Sequence, residues 1–190
     1  MESNKLNDQQ RKSISKFLSL ILRHRPEQIG LELDKNGWAD IGGLLEKANR
    51  NNRTGLCITR EVLMEVVETN DKKRFTISED GSRIRAAQGH STQQVQIEHR
   101  AAEPPALLYH GTAEKHLPSI RGQGLHGAGR HYVHLSADEA TAVKVGARHG
   151  KPVVLHIDTA AMRSAGMAFY LADNGVWLTE AVPPQYIRFP

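Results

Sequence analysis

The chain has 190 residues, with 25 Lys and Arg against 21 Asp and Glu and a formal net charge of +4. That length allows one large domain or two small ones, and the mild basic excess suits a polyanionic partner where the cations cluster. One cysteine, Cys57, excludes an internal disulfide and a thiolate zinc site, and no run approaches the roughly 20 apolar residues of a membrane span.

In chain order, Met1-Glu2-Ser3-Asn4-Lys5 is polar and lacks the apolar core of a secretion signal, so a reducing cytoplasm is expected. From Ser13 to His24, Ile14, Phe17, Leu18, Ile21 and Leu22 form the stripe of an amphipathic helix. Pro26 ends it, which leaves Arg23 and His24 in the last turn. Asp34-Lys35-Asn36-Gly37 reads as a turn. Asp40 caps a second helix carrying Ile41, Leu44, Leu45 and Ala48. Cys57, within Leu56-Cys57-Ile58, reads as a small core residue. Thr59 caps a third helix that buries Val62, Leu63, Val66 and Val67. A strand from Arg74 to Ser78, a turn over 79–82 and a return strand from Arg83 to Ala87 complete a hairpin. Three short helices followed by a hairpin make a winged-helix pattern.

Residues 97–105 lose periodicity and end in two prolines, which predicts a linker between a domain over 1–96 and another over 106–190. Beyond it, strands are expected at 107–110, 132–136, 153–157, 167–171 and 176–179, with helices near 115–123 and 138–149 and a turn at Asp173-Asn174-Gly175. The whole is an α+β chain. With no long exposed apolar stripe left over, a monomer is expected.

Three arginines stand in separate elements: Arg23, Arg74 and Arg130. Each offers a permanently charged planar fork that matches phosphate oxygens. Spacing does not bring them together, and a surface cation or salt bridge is the plainer reading of any one. His24 at a helix end is either a solvated cap or, beside phosphate, a proton donor. Lys73 adds a cation before Arg74. Gln88-Gly89-His90-Ser91 is either a polar loop or a phosphate cradle of amide, imidazole and hydroxyl around a permissive glycine. His110-Gly111-Thr112 follows an apolar strand directly, and His134 and Ser136 share one face of another. His110 and His134 lack further ligands at zinc-like spacing, so no metal is expected. Neither the dinucleotide fingerprint nor the Walker pattern occurs.

Five segments in order, Leu18–His24, Asn70–Phe75, Gln88–Ser91, His110–Thr112 and His134–Ser136, closely resemble the RNA 2′-phosphotransferases. The resemblance implies an N-terminal winged-helix RNA-binding lobe and a C-terminal lobe of the ADP-ribosyltransferase fold. It implies NAD as a consumed co-substrate, and RNA carrying an internal 2′-phosphate, as at a tRNA splice junction, as the partner. The family's Arg-His-Arg-Arg set falls on Arg23, His24, Arg74 and Arg130, which meet only if the lobes face each other. Contacts to NAD would come from His110, Gly111, Thr112, His134 and Ser136; phosphate and RNA contacts from Lys73, Gln88, Gly89, His90 and Ser91. The superfamily's third NAD-site strand position falls on Val176, where many relatives carry glutamate. Tyr132 stands where the family has histidine.

The implied reaction has two steps. The RNA 2′-phosphate displaces nicotinamide, and the neighbouring ribose hydroxyl then expels the RNA 2′-oxygen, which yields ADP-ribose 1″,2″-cyclic phosphate. Two rivals stay open: an ADP-ribosyltransferase acting on nucleic-acid terminal phosphates, and a non-catalytic winged-helix regulator.

Overall fold

The computed structural model describes residues 6–51, 55–97 and 99–190. The polar Met1–Lys5 segment read above lies outside them. The chain divides into two compact units, one up to Glu98 and one from His99 to Pro190.

In the first unit, α1 (Asp8–Arg23) starts earlier than the apolar stripe predicts. Its first turn is polar and is held by a capping box, in which the Asn7 side chain accepts from the Gln10 N–H and the Gln10 side chain accepts from the Asn7 N–H. Ile14, Leu18, Ile21 and Leu22 are fully buried. Then come β1 (Ala39–Asp40), α2 (Ile41–Arg50), α3 (Arg60–Glu68), β2 (Phe75–Ile77) and β3 (Arg83–Ala86). Asp40 and Thr59 cap α2 and α3 as expected. The three strands form one antiparallel sheet in the order β1-β3-β2. Its inner face sets Phe75, Ile77, Ala39, Ile84 and Ala86 against the helices.

Cys57 departs from expectation and is exposed. In the stretch before α3, Leu56 and Ile58 pack inward on the first core, and the residue between them points out. Ile58 is pinned by Asn49 of α2, whose side chain donates to the Ile58 carbonyl at 2.9 Å and accepts its N–H at 2.8 Å. Asn49→Ala leaves both backbone groups of a buried residue unpaired, a loss of roughly 2 kcal/mol. The expected outcome is a melting midpoint several degrees lower by calorimetry, against a near-parent midpoint for the exposed Cys57→Ser.

The second unit runs β4 (Arg100–Ala101), β5 (Leu107–Ala113), α4 (Leu117–Gln123), β6 (Leu125–His126), β7 (Val133–Leu135), α5 (Glu139–Gly146), β8 (Pro152–Asp158), α6 (Thr159–Ser164), β9 (Tyr170–Leu171), β10 (Trp177–Thr179), β11 (Ala181–Val182) and β12 (Ile187–Arg188). Two larger sheets, β12-β8-β5 and β4-β9-β10-β7, are joined by an antiparallel bridge between Tyr109 and Ser136, and β11 pairs with β6. A second core of Leu108, Leu135, Leu155, Ile157, Met162 and Trp177 lies among them.

The segment 97–105, read as a linker, is structured on both sides of Glu98, itself outside the described residues. Ile97 packs into the first core, and Arg100–Ala101 pairs with β9. No described helix is long and apolar enough to cross a membrane.

Candidate active site

In the first unit, one stretch of backbone ties three of the motifs together. At its start the Ala87 N–H donates to the Arg74 carbonyl at 2.8 Å. At its end the Ser91 and Thr92 N–H groups donate to the Arg23 carbonyl at 2.8 and 3.2 Å. The loop 88–91 thus spans from the base of the hairpin to the last turn of α1. Side chains complete the link, with His24 Nδ1 lying 2.8 Å from Ser91 Oγ. In the cationic imidazole both nitrogens donate, and Ser91 then accepts at Nδ1.

Arg23 is only 9% exposed, and the carbonyl end of α1 favours a cation there. Arg74 is held by a second tether, as Asn70 Nδ2 donates to Ser15 Oγ of α1 at 3.0 Å. The turn from Asn70 to Arg74 is closed by the Lys73 N–H on the Asn70 carbonyl, with Lys73 at φ 42°. A left-handed lysine is costly and persists only where its surroundings enforce it. Gly89 takes a left-handed φ of 86° as the permissive residue of its loop. His90, by contrast, is 4% exposed, with its ring against the Asp34–Trp38 turn, where a Cβ on Gly37 would lie 2.9 Å from His90 Nε2. His90 therefore sits inside the fold beside that turn. Among the described residues, Gln88 Oε1 is buried with no hydrogen-bond partner, a group that a ligand donor would satisfy.

In the second unit, His110 of β5 donates from Nδ1 to the His134 carbonyl at 3.0 Å. Arg130 Nη1 lies 3.1 Å from His134 Nδ1. An arginine only donates, so His134 accepts there and its neutral ring carries the proton on Nε2. Arg130 follows a turn closed by its N–H on the Gly127 carbonyl, with Ala128 and Gly129 both at positive φ. Tyr132, His134 and Ser136 alternate out of the core face of β7. Tyr132 meets the Tyr170 and His99 rings at 5.5 and 5.7 Å. Burial raises the Tyr132 hydroxyl above its ordinary range, helped by Tyr170 and Glu180.

Gly111 has a structural reason to be glycine. A Cβ there would lie 1.7 Å from the Ala142 carbonyl oxygen, because α5 lies on the β5 backbone. Thr112 is 5% exposed, with its hydroxyl 3.4 Å from His116 Nδ1. Val176 lies in the loop just before β10. Among the described residues no three His, Cys, Asp or Glu side chains group as metal ligands would.

A sequence profile described as RNA 2′-phosphotransferase, Tpt1 / KptA family, matches residues 9–181. The chain belongs to that family. A probable RNA 2′-phosphotransferase of Pseudomonas syringae pv. tomato is 56% identical over 182 residues, 96% of each chain. One from Rhodopirellula baltica is 55% identical over 183 residues, 96% of this chain and 98% of its own. One from Escherichia coli O6:K15:H31 is 52% identical over 185 residues, 97% of this chain and 99% of its own. The match to the RNA 2′-phosphotransferases covers both units and all five motif segments. Two positioning residues of this family member escaped the sequence reading. Ser15 is a polar residue within the first helix, given no role in the sequence, and Tyr170 falls in the strand expected over 167–171. In Ser15 the signal was a small hydroxyl on the buried face of the helix that ends in Arg23.

Burial pushes His110 below the ordinary imidazole range, opposed by its bond to His134 and aided by His149. The unfolded chain therefore takes up its proton near pH 6.5, before the folded protein does, and stability falls as pH drops through that region. We expect an NMR titration midpoint for His110 below 6.5. We also expect the drop in melting midpoint from about pH 7.5 to 5 to shrink in His110→Asn. A midpoint at or above 6.5 contradicts the assignment.

Proposed function

We propose that this protein is an NAD-dependent RNA 2′-phosphotransferase. It removes an internal 2′-phosphate from RNA through an ADP-ribosylated RNA 2′-phosphate, releasing nicotinamide, 2′-hydroxyl RNA and ADP-ribose 1″,2″-cyclic phosphate. The first unit is the winged-helix RNA lobe and the second the NAD lobe of the ADP-ribosyltransferase fold. The observation that carries this reading is the segment 87–92, hydrogen-bonded to the carbonyls of Arg74 and Arg23, in a chain that belongs to the RNA 2′-phosphotransferase family.

The tethers give Arg23, His24 and Arg74 one fixed frame. Two guanidiniums there oppose the charge that builds on phosphate oxygens as a P–O bond breaks. His24, oriented by Ser91, donates from Nε2 to the phosphate or to the departing RNA 2′-oxygen. Gln88 and the Gly89 backbone accept and approach the same substrate. Arg130 is the fourth member of the set.

The second unit fits a ribose carrying an aromatic ring. Its uncharged His110 and His134 rings, the Ser136 hydroxyl and the Tyr132–Tyr170 pair supply hydrogen bonds and flat apolar surface. NAD supplies an electrophilic anomeric carbon with nicotinamide as leaving group, so the protein's task is to orient two partners. Gly111 and Thr112 act from behind, by setting β5 against α5.

The test is to mix the protein with an RNA oligonucleotide bearing one internal 2′-phosphate and NAD, and to follow products by mass spectrometry. The expected result is equimolar 2′-hydroxyl RNA and ADP-ribose cyclic phosphate. An RNA that keeps ADP-ribose on a terminal phosphate would favour transfer without phosphate removal. No use of NAD would overturn the proposal.

A further inference from the structure

The solvent face of the β1-β3-β2 sheet carries a track of cations that extends from Arg74, which the reaction above uses, to Arg85 and Arg83 beside Trp38, which it does not. Phe75, Ile77, Ile84 and Ala86 face the core, so the alternate residues face outward: Arg74 and Thr76 on one arm of the hairpin, Arg83 and Arg85 on the other. Thr76 stands opposite Arg85 in the register. On the far side, Ala39 pairs with Ile84 and Asp40 with Arg83, which sets Trp38 beside Arg85 on the same face. The Arg85 guanidinium lies 4.6 Å from the centre of the Trp38 ring and that of Arg83 5.4 Å. Trp38 is half-buried, and its backbone N–H donates to Asp34 Oδ1 at 2.9 Å. Next to it a groove of about 470 Å³ opens between Trp38, Arg83, Thr76 and the Ser78–Asp80 turn.

The carboxylates nearby are largely committed. Asp40 Oδ2 accepts the Gly43 N–H, Asp34 Oδ1 accepts the Asn36 and Trp38 N–H groups, and Asp80 is held by Ser78 and Ser82. Glu79 is exposed at the turn, and Arg83 lies 3.8 Å from Asp34. An indole flanked by guanidiniums on an open sheet face is how proteins hold single-stranded nucleic acid, with bases stacked on the aromatic and phosphates on the cations. The track also has a direction. Arg74 is the tethered arginine of the first unit's site, and Arg85 and Arg83 step away from it towards the tip of the hairpin.

We propose that this face is a second RNA subsite. It takes a single-stranded nucleotide flanking the 2′-phosphate, with its base on Trp38 and its backbone phosphates on Arg85 and Arg83. This rests on the reading of the first unit as the one that receives 2′-phosphorylated RNA. It predicts that the protein gains affinity from RNA beyond the dinucleotide that carries the phosphate.

The test measures binding by fluorescence anisotropy, without NAD, for a dinucleotide and for a ten-nucleotide single strand with the same internal 2′-phosphate. The parent should bind the longer RNA more tightly. In Trp38→Ala and Arg85→Gln most of that gain should vanish, a weakening of roughly tenfold on the longer RNA. Trp38→Phe should keep most of it. The salt dependence of log Kd for Arg85→Gln should be shallower by about 0.7. Equal affinity of the parent for both lengths, an undiminished gain in the variants, or the same fold-loss at both lengths would each overturn the subsite. If Trp38→Ala fails to fold, Trp38→Phe and Arg85→Gln decide. Because NAD is absent, failure of the proposed reaction leaves this measurement intact, and the two ideas fall separately.

Discussion

Arg74→Ala should lower the appearance of 2′-hydroxyl RNA by a hundredfold or more, the usual cost of deleting one donor aimed at developing charge. Nicotinamide release should fall less, because that step mainly needs the two substrates placed in line. The two products would therefore separate in time, with nicotinamide ahead of dephosphorylated RNA. Arg74→Lys should also be slow, since an ammonium cannot present the planar fork that spans two phosphate oxygens. Two tethers let this test address chemistry rather than folding. The loop from Asn70 is anchored on Ser15, and the Arg74 carbonyl holds the Ala87 N–H, and neither contact uses the guanidinium. Rapid-quench sampling of both products from one reaction would show the split. Parent rates for both, or an equal slowing of both, would remove Arg74 from the phosphate-expelling step.

The parts of this protein that sequence made legible are those where a local rule acts alone. The stripe of α1, the caps at Asp40 and Thr59 and the alternating hairpin strands each follow from residues within one element. The two-residue strands β4, β6, β11 and β12 do not, since pairing defines them and their partners lie far along the chain. Helix α6 escaped in the same way. Its Asp158 cap ends a strand, and the Thr159 hydroxyl inside it donates to the Pro105 carbonyl, more than fifty positions earlier. The candidate site shows a similar division. Arginine and histidine announce themselves by type, whereas the contacts that bring Arg23 and Arg74 to one loop are made by backbone groups that every residue carries. No pattern of side chains encodes them. Cys57 illustrates the converse: an apolar neighbourhood in sequence became an outward position once the chain ran extended between two inward neighbours.

Gly111→Ala should destabilise the second unit strongly, and this outcome separates two explanations of the same residue. Read from sequence, the glycine sits in a motif that the family resemblance places in contact with NAD. Its surroundings give another cause. A Cβ would stand 1.7 Å from the Ala142 oxygen, 2.6 Å from the Ala142 carbonyl carbon and 2.9 Å from the Gly146 nitrogen. Gly146 answers it from the helix, where a Cβ would meet the Thr112 oxygen at 2.5 Å. Two bare backbones thus meet, and both are backbone groups with no side chain to swing away. A methyl group at 111 must lift α5 off β5, and overpacking of that kind costs about 1–3 kcal/mol or more. At roughly 2–4 °C per kcal/mol for a chain of this size, a fall in melting midpoint of several degrees or more is expected. Gly122→Ala is the matched control. It lies in α4 with nothing within 4 Å of its Cβ, so alanine there should raise stability slightly. Calorimetry of both variants, with NAD binding measured on whatever folds, distinguishes the causes. If Gly111 served ligand approach alone, Gly111→Ala would melt with the parent and lose only NAD. If it serves the seating of α5, the midpoint falls first, and weakened NAD binding follows from a β5 strand no longer held where His110 reaches the His134 carbonyl.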